Sequence, residues 1–147
     1  MNKSIDTNAP LFAKKELFIN APVEKVWNIQ TDIERWHEWQ SDIASVNLDG
    51  ELAPNTIFRW KASGLGIVST LHTVNPNSEI GWTGVSLGMF AIHNWTFKEQ
   101  DGGTFVITEE SLSGWLASLF RLFDKNFLEK SLEASLQKLK TRVDDVN

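Results

Sequence analysis

His93 and Glu110 are the two residues of this 147-residue chain whose types and spacing best suit shared chemistry. An imidazole beside a carboxyl can anchor the polar end of a ligand, or act as a general base that takes a proton next to a carbonyl. The same contact can equally be a satisfied buried polar pair that fixes strand register and does nothing more. A hairpin would bring the two together. Residues 89–99 and 104–112 read as strands, and Asp101-Gly102 between them has the composition of a two-residue turn. That turn pairs Phe97 with Val106, Trp95 with Thr108 and His93 with Glu110. A four-residue loop over 100–103 keeps this pairing, a three-residue loop over 101–103 offsets it, and a one-residue slip swaps faces. The two-residue register is the expected one, with opposed Cβ atoms about 4.5–5.5 Å apart. Burial raises a carboxyl's pKa and a neighbouring imidazolium lowers it, and the sequence leaves that balance open.

Other chemistries are poorly served. His37, His72 and His93 are scattered without the His-x3-His spacing of a metal site, so no metal is expected. The chain has no Cys, hence no disulfide, thiolate ligand or thiol nucleophile. No nucleophile elbow or phosphate loop occurs, and Gly64-Leu65-Gly66 lacks the helix that would cradle phosphate. Lys+Arg 14 against Asp+Glu 19 gives a net charge of −5 with no basic run, so no nucleic acid is expected as a partner. Lys130, Lys138, Lys140 and Arg142 are interleaved with Glu129, Glu133, Asp144 and Asp145, as on a solvated helix face. The longest nearly apolar stretch, 115–120, is too short to cross a bilayer, and the opening residues lack the apolar core of a secretory signal. The expectation is a cytoplasmic domain over 1–147 without membrane insertion, burying roughly 70% of its unfolded surface. Residues 1–10, polar and ending at Pro10, read as a flexible tail.

The elements that must position His93 and Glu110 follow from periodicity and punctuation. Residues 11–20 read as a strand. Pro22 suits the first turn of a helix, and Val23, Val26, Trp27 and Gln30 give that helix one face over two turns. Thr31-Asp32-Ile33-Glu34 has the spacing of a capping box, which would end this helix and start a second short one carrying Ile33, Trp36 and Trp39. Six further strands are expected at 44–48, 56–62, 66–74, 79–85, 89–99 and 104–112, separated by Asp, Asn, Gly and Pro turns. Residues 115–143 are helical throughout, but Leu116, Phe120, Phe123 and Phe127 point nearly opposite to Leu128, Leu132, Leu136, Leu139 and Val143. A straight helix cannot present both clusters to one sheet. A break near Asp124-Lys125-Asn126 is expected, with Asp124 as the new cap.

This order predicts an α+β helix-grip fold: a curved antiparallel sheet of about seven strands, two short helices, and a long C-terminal helix over an internal cavity. The run Ile19-Asn20-Ala21-Pro22-Val23-Glu24-Lys25-Val26-Trp27, followed by Asp32-x3-Trp36-x2-Trp39, resembles the opening of the START-like (SRPBCC, birch-pollen-allergen-like) helix-grip superfamily. Thr56-x-Phe58-x-Trp60, Ile80-Gly81-Trp82-Thr83-Gly84, His93-x-Trp95-x-Phe97 and Gly103-Thr104-x-Val106-x3-Glu110-x3-Gly114 agree with it. The resemblance covers about residues 11–145 and is closest to the polyketide cyclase/dehydrase-like branch. His37 departs from it, because relatives usually carry Pro between the two Trp. The resemblance implies a ligand-holding cavity but no single reaction, since the superfamily spans lipid carriers, hormone receptors and cyclases.

Alternation assigns the cavity face. On 89–98 it carries Met89, Ala91, His93, Trp95 and Phe97, with Thr108 and Glu110 opposite. Phe58, Trp60, Ile80 and Trp82 share that face. Ile67, Ser69 and Leu71 are expected there too, although Val68 and Val74 offer a competing face. Leu116, Phe120 and Phe123 are expected to border the mouth. Three functions remain open: binding of a small hydrophobic molecule, aromatic or lipid-like; a cofactor-independent cyclase/dehydratase using His93 and Glu110; and a protein-interaction module, or a homodimer contact, on the apolar front of the last helix.

Overall fold

Alternating apolar residues and tight turns build the sheet, and the helices close one side of it. The computed structural model describes residues 3–146. Seven strands run β1 (Leu11–Ile19), β2 (Ile43–Asp49), β3 (Ile57–Ala62), β4 (Leu65–Asn75), β5 (Glu79–Ser86), β6 (Met89–Gln100) and β7 (Gly103–Ser113). They form one antiparallel sheet in the order β1-β7-β6-β5-β4-β3-β2. Between β1 and β2 come α1 (Val23–Thr31) and a 3-10 helix (Ile33–Glu38); α2 (Trp115–Phe123) and α3 (Phe127–Asp145) follow β7.

α3 is the main cover. Leu136, Leu139 and Val143 pack into a core with Val26 and Trp27 of α1 and with Ile19, Phe97 and Val106 of the sheet. Leu128 and Leu132 join Leu11, Ala13, Leu112 and Ala117. These five α3 residues are the stripe expected from the sequence, and all are buried. The expected break also occurs. Asn126 stands at the N-cap of α3, whereas Asp124 takes a different part: its Oδ1 accepts the Asn126 N–H at 2.9 Å and its Oδ2 meets Lys130 Nζ at 2.8 Å. The turn this makes lets α2 and α3 point their apolar faces in different directions.

The helix boundary at Thr31 is where the capping box put it, but the box itself does not form. Thr31 Oγ1 donates back to Trp27 O at 2.8 Å, and Glu34 Oε2 accepts the N–H of Leu48 on edge strand β2 at 3.2 Å. Neither side chain is left to cap, and the second helix is a 3-10 turn rather than an α-helix.

β4 answers to both faces proposed for it. Its pairing with β5 shifts between Leu71 and Thr73, so His72 is an extra residue. Before this bulge Ser69 and Leu71 are buried while Val68 is exposed, and after it Val74 packs on the core. Residues 3–10, expected as a tail, lie along the other face of the sheet. Asn94 Nδ2 donates to Lys3 O at 2.8 Å, the Lys3 N–H reaches His72 Nδ1 at 3.2 Å, and the Asp6 N–H reaches Ser111 Oγ at 3.0 Å. Met1 and Asn2 fall outside the described residues.

Candidate functional site

The β6–β7 hairpin sets the geometry. Asp101 and Gly102 both have positive φ, 51° and 80°, as a two-residue I′ turn requires. The pairs are then Phe97 with Val106, Trp95 with Thr108 and His93 with Glu110. His93 Nδ1 stands 3.6 Å from Glu110 Oε2, and the two side chains are 12% and 16% exposed. The other ring nitrogen, Nε2, lies 2.9 Å from the hydroxyl of fully buried Thr108. Thr108 thereby holds the ring in the plane that faces Glu110.

Aromatic rings surround this pair. His93 lies between Trp82 and Trp95, with ring centroids 4.9 and 5.5 Å away. Trp36 of the 3-10 helix touches Trp82 and Trp60, both at 5.4 Å. Two indole N–H groups are tied down: Trp36 Nε1 donates to Gln30 O at 2.9 Å and Trp60 Nε1 to Ser69 Oγ at 3.0 Å. The result is a wall of large, oriented rings on the concave side of the sheet.

A cavity of about 210 Å³ lies between this wall and the helices. From the sheet it is lined by Trp60, Ile67, Trp82, Met89, His93, Trp95, Glu110 and Leu112. The helices contribute Trp36, Phe120, Phe127, Leu128 and Leu132, and a polar share comes from Gln30, Gln40, Asp42, Ser63, Ser131 and Ser135. A separate polar hollow of about 170 Å³ lies under the N-terminal segment, between Lys3, His72, Glu79, Asn94 and Glu109. Among the described residues no group of three His, Asp or Glu could hold a metal ion.

Burial dominates the electrostatics. It pushes the Glu110 carboxyl up to about 8 and the His93 imidazole down to about 3. At neutral pH both are therefore uncharged, despite an approach close enough for an ion pair, because desolvating two charges costs more than their attraction returns. A protonated Glu110 facing Nδ1 calls for the proton of neutral His93 on Nε2, where it donates to Thr108.

Of the site residues expected from the sequence, Trp60, Ile67, Trp82, His93, Trp95, Glu110 and Phe120 line the cavity. Phe58, Leu71 and Phe97 are buried in the core behind it, Ser69 anchors Trp60, and Thr108 anchors His93. Leu116 is half-buried at the start of α2, its N–H bonded to Gly88 O at 3.0 Å. Phe123, the last residue of α2, is 83% exposed and is not among the residues lining the cavity. Sequence reasoning missed Gln30 and the α3 contributors Leu128, Ser131, Leu132 and Ser135, while Phe127 belongs to the apolar cluster it placed near the mouth. Gln30 stood on the buried face of α1, which was a usable signal; the α3 serines carry none.

No described helix is long and apolar enough to cross a membrane. The family model described as "Polyketide cyclase / dehydrase and lipid transport" matches residues 13–144. No curated protein sequence matches the chain. Solved structures share its fold at low identity. A hypothetical protein from Helicobacter pylori is 16% identical with a TM-score of 0.84, over 97% of this chain and 98% of that one. The Zhui aromatase/cyclase from a Streptomyces species is 13% identical with a TM-score of 0.77, over 90% and 93%. A START superfamily protein from Mycobacterium smegmatis is 13% identical with a TM-score of 0.75, over 92% and 99%.

Proposed function

Because the chain belongs to the polyketide cyclase / dehydrase and lipid transport family, we propose that it binds a small hydrophobic molecule in the cavity between the sheet and α3. The observation that carries this reading is the contiguous ring wall Trp60–Trp36–Trp82–His93–Trp95 around that cavity, with the polar pair His93 and Glu110 set into it. Binding sites for small molecules are largely apolar with a few placed polar groups. At about 210 Å³ the cavity lies below the usual range for drug-sized ligands, which points to a compact molecule of one or two rings. On this reading the chain works as one ligand-binding domain without metal or organic cofactor. Titrating one- and two-ring apolar compounds while following Trp emission tests it. A saturable shift that is lost in a Trp82→Ala variant still able to fold supports the reading, and no shift with any compound overturns it.

A second reading is a cyclase or dehydratase that uses the same pair. It is favoured by Glu110, whose carboxyl is pushed up to about 8, near the pH at which a group can both give and take a proton, beside His93 in a water-poor wall. Turnover of a bound ligand that disappears in Glu110→Gln while binding persists would establish it. The exposure of Trp115, Leu122 and Phe123 on α2 favours a third role in protein contacts, a second copy included. A mass that rises with concentration, and falls back in Leu122→Ser, tests that role.

A further inference from the structure

We propose that the cavity selects its ligand by charge, taking an uncharged molecule that bears a carbonyl or hydroxyl oxygen and rejecting carboxylates and phosphates of the same size. This rests on the cavity being a ligand site and adds the class of ligand.

Three observations carry it. Among the described residues, neither Lys nor Arg lines the cavity, while Asp42 and Glu110 do. Lys138, beside the rim, is already paired with Asp42, Nζ to Oδ1 at 3.1 Å. An entering anion would therefore shed its hydration and meet no countercharge. Two wall residues, both 3% exposed, also hold hydrogen-bonding atoms with no partner: the Nε1 donor of Trp95 and the Oε1 acceptor of Gln30. Buried polar atoms in folded proteins are nearly always paired, and a ligand oxygen suits these two: a carbonyl or hydroxyl can accept from Trp95 Nε1, and a hydroxyl can also donate to Gln30 Oε1. Finally, the Glu110 carboxyl lines the cavity beside an imidazole that burial holds neutral, so a bound carboxylate would meet a second acidic group and no cation there.

The test pairs two probes of nearly one shape, 2-acetylnaphthalene and 2-naphthoate, titrated at pH 7 by Trp emission and by calorimetry. The ketone is expected to bind about tenfold or more tightly than the carboxylate. Ser131→Arg, a substitution on the α3 side of the cavity, is expected to raise naphthoate affinity about tenfold and leave the ketone within about twofold. Equal affinities in the wild type, or an arginine that does nothing for naphthoate, overturn the charge selection and leave the binding site standing. If neither probe binds, the charge selection is overturned, while the binding reading stands or falls on the wider panel of one- and two-ring compounds.

Discussion

Across the β6–β7 ladder, His93 Nδ1 stands 3.6 Å from Glu110 Oε2, and the low-dielectric wall keeps both groups uncharged at neutral pH. That neutrality is a property of the folded state, so it must be visible as a dependence of stability on pH.

The profile has a definite shape. From about pH 3 to 6.5 the unfolded chain carries a proton on His93 that the folded chain lacks, so stability rises with pH. From pH 4.5 to about 8 the folded chain carries one on Glu110 that the unfolded chain lacks, so stability falls as pH rises. The two slopes cancel between 4.5 and 6.5. The pair's contribution is flat there, drops on the acid side and drops again on the alkaline side, each limb at up to about 1.4 kcal/mol per pH unit. Denaturant unfolding from pH 3 to 9 should show the alkaline limb in the wild type and not in Glu110→Gln. An identical alkaline limb in the variant would refute the assignment.

Gly81 is predicted to tolerate no side chain. An added Cβ would stand 2.5 Å from His72 Cε1 and closer still to Asn94 Oδ1. Gly81→Ala should cost about 2 kcal/mol, the scale of overpacking. His72→Ala in the same chain should recover part of that loss, because the two sites share one space. Additive costs in a double-mutant cycle would remove the explanation.

The turn residue Gly102 gives a cleaner measurement, since its φ is 80° and nothing lies within 4 Å of an added Cβ. Gly102→Ala should cost about 1–2 kcal/mol purely through backbone conformation. The His93–Glu110 register should survive, as amide cross-peaks along β6 and β7 would report. An unchanged melting temperature would mean that the turn relaxes into another type at no cost.

Two residues of the C-terminal helical run should behave in opposite ways. Leu136 is fully buried and Phe123 is 83% exposed. Leu136→Ala should cost about 2–5 kcal/mol, while Phe123→Ser should fall within about 0.5 kcal/mol of the wild type. Comparable losses at both positions would mean that α2 is covered in solution.

Much of this molecule is written locally in its sequence. The pairing of His93 with Glu110 was legible because Asp101-Gly102 is a short-range signal that needs no knowledge of the rest of the fold. The stripe from Leu128 to Val143 was legible for the same reason, as a period. The failures concern choices made between distant residues. Thr31 and Glu34 had the spacing of a capping box, but Glu34 found the edge of β2 instead. Phe123 shares a helical face with Phe120, yet Phe120 meets Phe127 across the break with ring centroids 5.1 Å apart, while Phe123, the last residue of α2, is left exposed. The doubt over the inward face of β4 was itself informative, because both candidate faces were correct on either side of an extra residue that has no local signature.

That extra residue divides one ribbon into two independent territories. Upstream of His72, β4 supplies Ile67 to the hollow where a ligand would sit; His72 itself holds Lys3 on the reverse side of the sheet. Substitutions at Ile67 can therefore retune what the hollow accepts without loosening the N-terminal segment. Deleting the single codon for His72 would leave that hollow alone: plain alternation would return, with Val74 still opposite Ile80, and the N-terminal segment would lose its hold at Lys3 N–H while keeping those at Asn94 and Ser111.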